Sequence, residues 1–186
     1  LVDVAVAWEG CHEGPKSDQM SAMNVPHWAS DANLAAFKQI MPGGAPLFNY
    51  VTAQSESKLI NGLTWHDALG KDISTLFTSK IDAFYEPIKP ENGGTCTLCH
   101  GDIRGDNLFF CEATDDYPDG WLTIDYQLMF QGPIPSDLAY LMNSGSVLPE
   151  VYSGENRQKI LRTFYDQFMA KTELYKDYTW EQFNRE

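Results

Sequence analysis

The stretch Cys99-His100-Gly101-Asp102-Ile103-Arg104-Gly105-Asp106-Asn107 constrains this chain more than any other. It has the form H-G-D-x-x-x-x-N and runs into the apolar residues Leu108, Phe109 and Phe110. A second acid, Asp125, follows Leu122-Thr123-Ile124 eighteen positions after Asn107. Glycine-bearing polar positions between short apolar runs read as a loop between strands. The spacing predicts a strand over 95–99, a loop, a strand over 108–111, a turn over 114–120 and a hairpin partner over 121–125.

Those residue types suit phosphoryl transfer. One loop Asp orients and deprotonates a hydroxyl, while an Asn five residues later and an Asp on the next strand pair hold Mg²⁺ on ATP phosphates. Asp102 is the candidate base, and Asn107 and Asp125 the candidate metal ligands. Mg²⁺ prefers hard oxygen donors and is held by one or two carboxylates plus phosphate and water. A carboxylate of pKa about 4 deprotonates an alcohol poorly in the ground state. It suffices when the transition state is loose and positioning dominates. The plainer readings are a turn Asp after glycine, a loop-closing Asn and a strand-end Asp.

These motifs resemble the catalytic loop and metal segment of the aminoglycoside phosphotransferase and choline kinase superfamily, which is protein-kinase-like. Asp137-Leu138-Ala139-Tyr140-Leu141-Met142-Asn143-Ser144 is similar to the helix that follows in its CHK kinase-like (ecdysteroid kinase-like) branch. Tyr178-Thr179-Trp180-Glu181-Gln182-Phe183 is similar to a later helix of that branch. The resemblance covers roughly residues 95–186. It implies structural roles for His100, beneath the loop near the metal Asp, and for Asp137, which fastens the loop from below. A dipole-favoured acid at a helix start is the plainer reading of Asp137. Arg104 reaches phosphate or substrate, or is simply solvated. Gln127 and Asp106 read as loop polarity.

Cys96-Thr97-Leu98-Cys99-His100 also matches C-x-x-C-H, the c-type haem attachment pattern. That reading needs export and a helical wrap, and it leaves Asn107, Asp125 and Asp137 unexplained. Buried strand cysteines are the better expectation, and no second C-x-x-C supports a zinc site. Four cysteines in 186 residues do not form a disulfide framework, so a reducing, cytoplasmic setting is expected.

Elsewhere, residues 2–8 open a helix or a buried strand, and residues 10–21 read as a polar loop. A helix is expected over 32–41, ended by Pro42 to Pro46. Apolar residues from Leu69 to Phe84 recur at three- and four-residue steps, predicting a helix over 64–85 ended by Pro87 and Pro90. An amphipathic helix is expected over 155–171, and Thr179 caps a last one that the chain end cuts short. Net charge is −13, which excludes a general nucleic-acid binder and disfavours anionic membranes. No apolar run is long enough to cross a membrane as a helix. The first residues are too short and too acidic for a signal peptide.

The expected fold is α+β: a protein-kinase-like C-terminal lobe, mostly helical, with a small β-hairpin carrying the site. By resemblance, the activity is ATP- and Mg²⁺-dependent phosphorylation of a small-molecule hydroxyl, with a non-catalytic ligand-binding protein as the alternative. No kinase-type Gly-rich loop occurs, and the first residue is Leu. Residues 1–186 are therefore expected to be a fragment, inactive without an N-terminal nucleotide lobe of the same protein.

Overall fold

Short apolar runs broken by glycine and proline fold into two small antiparallel ladders among helices. The computed structural model describes residues 1–28, 30–36, 38–39, 73–115 and 117–186, with backbone only for 73–78 and 149. The elements in chain order are helices α1 (Val2–Ala7), α2 (Gly14–Ala22) and α3 (Ile73–Tyr85), then strands β1 (Thr97–Cys99), β2 (Leu108–Phe110), β3 (Trp121–Thr123) and β4 (Phe130–Gly132). Helices α4 (Ser136–Asn143), α5 (Pro149–Tyr152), α6 (Gly154–Met169) and α7 (Trp180–Arg185) complete the chain. Two compact units form: Leu1–Trp28 with Ile88–Glu186, and Ala29–Pro87. The architecture is α+β. Among the described residues, no helix is long and apolar enough to cross a membrane.

In the larger unit, β2 pairs with β3 as expected, with Leu108 opposite Thr123 and Phe110 opposite Trp121. A second ladder was not foreseen. β1 pairs antiparallel with β4, Thr97 opposite Gly132 and Cys99 opposite Phe130. Three residues ending in Gly132-Pro133 carry no alternation that a sequence reading can detect. What makes β4 a strand is tertiary. Gln131 takes the carbonyl of Pro26 at 2.8 Å on its amide, gives its own carbonyl to Trp28 at 3.0 Å, and its side-chain Nε2 donates to Val25 O at 2.8 Å.

The expected loop over 10–21 is also corrected, because α2 occupies its second half. Extended Glu13 precedes it, proline lies in its first turn, and Met20 is its fully buried residue. One buried anchor gives no helical period, but a first-turn proline starts a helix. The ambiguous residues 2–8 resolve as a helix, and α5 is a further short helix that the sequence did not suggest.

The main core gathers Val2 and Ala5 of α1, Ile134, Leu138 and Met142 around α4, Phe164 and Phe168 of α6, and Tyr178 and Phe183 near α7. Thr179 caps α7, as the sequence predicts, and does so in a reciprocal box with Gln182. The Glu186 side chain then reaches back to Thr95, two residues before β1. It accepts from Thr95 N at 2.7 Å, Thr95 Oγ1 at 2.6 Å and Tyr178 OH at 2.6 Å. The Glu9 carboxylate similarly takes the Thr172 hydroxyl and the amides of Glu173 and Leu174. The Glu186 clasp secures the residues that lead into β1, the strand that feeds the H-G-D loop.

In the smaller unit, residues 31–36 and 38–39 are helical, and Lys38 pairs with Asp82 of α3 at 2.5 Å. The expected stretches over 40–46 and 64–72 lie outside the described residues.

Phe168 is wholly buried at the centre of the main core. Phe168→Ala is expected to cost about 3–5 kcal/mol, read by urea unfolding. A loss below about 1 kcal/mol would show that this cluster is not the core.

Candidate active site

The H-G-D loop leaves β1 and is fastened at once. Asp137, in the first turn of α4, is buried, and its two carboxylate oxygens accept from His100 N at 2.7 Å and Gly101 N at 3.0 Å. Charge-assisted bonds of this kind are about twice as strong as neutral ones. Gly101 adopts φ +84, and a Cβ there would lie 2.0 Å from the carbonyl oxygen of Leu128. Only glycine fits, and the close approach sets the loop against the single turn Tyr126–Leu128 that follows Asp125.

His100 bridges the same two segments. Its Nε2 lies 2.9 Å from Ile124 O, and Asp102 N lies 3.3 Å from its Nδ1. A carbonyl only accepts, so the imidazole carries its proton on Nε2 and offers Nδ1 to Asp102. The Tyr126 ring covers it, with centroids 4.6 Å apart.

Asp102 is 7% exposed, yet both its oxygens are occupied by donors. Tyr140 OH donates to Oδ1 at 2.7 Å. Asn107 Nδ2 donates to Oδ2 at 3.2 Å and to the Asp102 carbonyl at 2.8 Å. Arg104 Nε stands 3.5 Å from Oδ1. The Tyr140 hydrogen bond, aided by Arg104 and Asn107, holds the carboxyl below the usual carboxylate range. Asp102 is therefore charged at neutral pH and can accept a proton.

Asn107 is buried and continues the hairpin ladder: Ile124 N donates to Asn107 O at 3.1 Å. Asp125 is thus the residue after Asn107's ladder partner. It is exposed and left-handed at φ +66, a conformation that costs a non-glycine residue about 1–3 kcal/mol. Gln127 Nε2 lies 3.4 Å from its Oδ2. Asn107 commits its amide nitrogen to Asp102, which leaves its amide oxygen for a cation. One amide oxygen and one carboxylate are hard donors that fit Mg²⁺, provided phosphate and water complete the shell. Among the described residues, no three of His, Cys, Asp or Glu gather as a metal cluster. Asn107 and Asp125 are donors of a chemistry compatible with a metal that arrives with phosphate.

The structure thus brings His100, Asp102, Asn107 and Asp137 together and puts Asp125 beside Ile124, which both His100 and Asn107 contact. Arg104 lies near Asp102, and Asp106 is exposed. Tyr140 was missed by the sequence reading. Its signal was the i, i+3 spacing from Asp137, which sets both on one side of a helix. The haem reading loses its side chains: Cys96 and Cys99 are buried thiols, and both ring nitrogens of His100 are engaged within the protein. All four cysteines are free, and burial pushes the Cys99 thiol well up.

Gly101→Ala meets both a positive φ and a backbone oxygen that cannot yield. It is expected to lose about 3 kcal/mol or more of stability, read by urea unfolding. Near-native stability would mean that the loop does not need this close approach.

No curated protein and no solved structure matches the chain. The model of the ecdysteroid kinase-like family matches residues 21–176, more than half of the sequence and the whole of the loop, hairpin and α4 just described. The chain belongs to the ecdysteroid kinase-like family.

Proposed function

We propose that this chain supplies the acceptor-side machinery of an ATP- and Mg²⁺-dependent phosphotransferase whose acceptor is a small-molecule hydroxyl. Family membership supports a kinase-type phosphotransferase at that coarse level. The observation that carries the finer reading is the Asp102 carboxylate: buried, charged and oriented by a donor on each oxygen.

In this reading Asp102 orients the acceptor hydroxyl and takes its proton late, as the new O–P bond forms and ADP departs. Asn107 and Asp125 would hold Mg²⁺. The metal, when bound with ATP, neutralises phosphate charge. His100 and Asp137 keep the loop in register so that Asp102 does not drift, since a misplacement near 1 Å can cost about 10²-fold. Adenine and the outer phosphates need a nucleotide-holding lobe, the partner this reading requires, because the sequence has no kinase-type Gly-rich loop.

The test uses the full-length protein with MgATP and a panel of hydroxyl-bearing sugars, amino alcohols and sterols. ADP release and the appearance of a phosphomonoester by ³¹P NMR are followed. Asp102→Asn is expected to lower kcat by about 10²–10⁴-fold with little change in acceptor KM, because the lost interaction matters most in the transition state. Asn107→Ala and Asp125→Ala should each raise the Mg²⁺ needed for half-maximal turnover. A panel without turnover, or an Asp102→Asn protein with near-normal kcat, would favour a ligand-binding role instead.

A further inference from the structure

We propose that Tyr140 is a positioning residue that aims the Asp102 carboxylate at the acceptor hydroxyl, from the same helix that fastens the loop. The inference rests on the phosphotransfer reading above. Asp137 and Tyr140 stand three positions apart on α4, so one helical turn presents both to the loop. Asp137 holds the backbone of His100 and Gly101, and Tyr140 holds the side chain of Asp102, at 2.7 Å. The helix itself is set by Leu138 and Met142, both buried in the main core.

Burial does not force this hydrogen bond. Tyr140 is 42% exposed, and water could satisfy its hydroxyl. The bond instead completes a pair, with Asn107 on Oδ2 and Tyr140 on Oδ1. Donors on both oxygens fix the plane of the carboxylate. Each carboxylate oxygen has two lone-pair directions, so one hydrogen bond to each oxygen still leaves the carboxylate able to accept from the acceptor hydroxyl. Without the phenol, the donor left beside Oδ1 is Arg104 Nε at 3.5 Å, on a half-exposed side chain that would draw the carboxylate toward itself.

Tyr140→Phe keeps the ring and removes only the hydroxyl. It is made in the full-length protein, alone and with Asp102→Asn. ADP release from MgATP is measured with the best acceptor of the panel and with water alone. Tyr140→Phe alone is expected to lower kcat about 10-fold and to leave KM for MgATP within about 2-fold. With Asp102→Asn present, it should change kcat by less than about 2-fold, because a residue that acts through Asp102 has nothing left to act on. A merely structural role would lower activity equally in both backgrounds, and that result overturns the inference. Unchanged or higher kcat in Tyr140→Phe alone also overturns it. A near-normal Asp102→Asn protein instead overturns the phosphotransfer reading itself and is visible before Tyr140 is touched.

Discussion

The Asp137 carboxylate, taking the amides of His100 and Gly101, is the interaction on which the rest of the site depends. Two consecutive N–H groups at the end of β1 point to one buried anion. They are thereby satisfied without a strand partner, and the chain is free to turn away into the loop. A hydrogen bond to a charged group contributes about 1.5–3 kcal/mol, more than a typical exposed ion pair. Asp137 also stands in the first turn of α4, where the helix dipole favours an anion. The anchor that holds the loop is itself held by the helix.

From that anchor the other positions follow. Gly101 can approach Leu128 because it has no side chain, and this approach brings the loop beside the turn after Asp125. His100 then reaches Ile124 O with one nitrogen and the Asp102 amide with the other. Asn107 is fixed twice, by the ladder through Ile124 and by its amide on Asp102. The acid-bearing segments are therefore joined through backbone groups rather than by attraction between side chains.

The charge of the site is the second constraint. The chain carries a net charge of −13, and Asp102, Asp106, Asp125 and Asp137 all lie within the loop and its supports. The Asp137 carboxylate is hydrogen-bonded by two backbone amides, and Asp102 by Tyr140 and Asn107, with Arg104 nearby. Asp125 is exposed, with Gln127 beside it. In the phosphotransfer reading proposed above, this exposed carboxylate is the one that would meet Mg²⁺. In the same reading, the neutral amide of Asn107 would add a ligand without adding negative charge.

Much of this was legible in the sequence because it is local. H-G-D-x-x-x-x-N with Asp125, the helix at Asp137 and the helix cap at Thr179 are each written within a few residues, where glycine geometry, caps and periodicity operate. The amphipathic α6 was visible for the same reason. β4 and α2 were not visible, since three residues and one buried Met carry no period. They exist because Gln131 finds Pro26, Trp28 and Val25 across the fold, and Met20 finds Cys11, Val25 and Cys96. The sequence by itself determined which polar groups stand on the loop, the hairpin and α4, and in what order. Tertiary structure alone decided that Tyr140 would meet Asp102, because a hydrogen bond spanning thirty-eight positions depends on where a packed helix comes to rest.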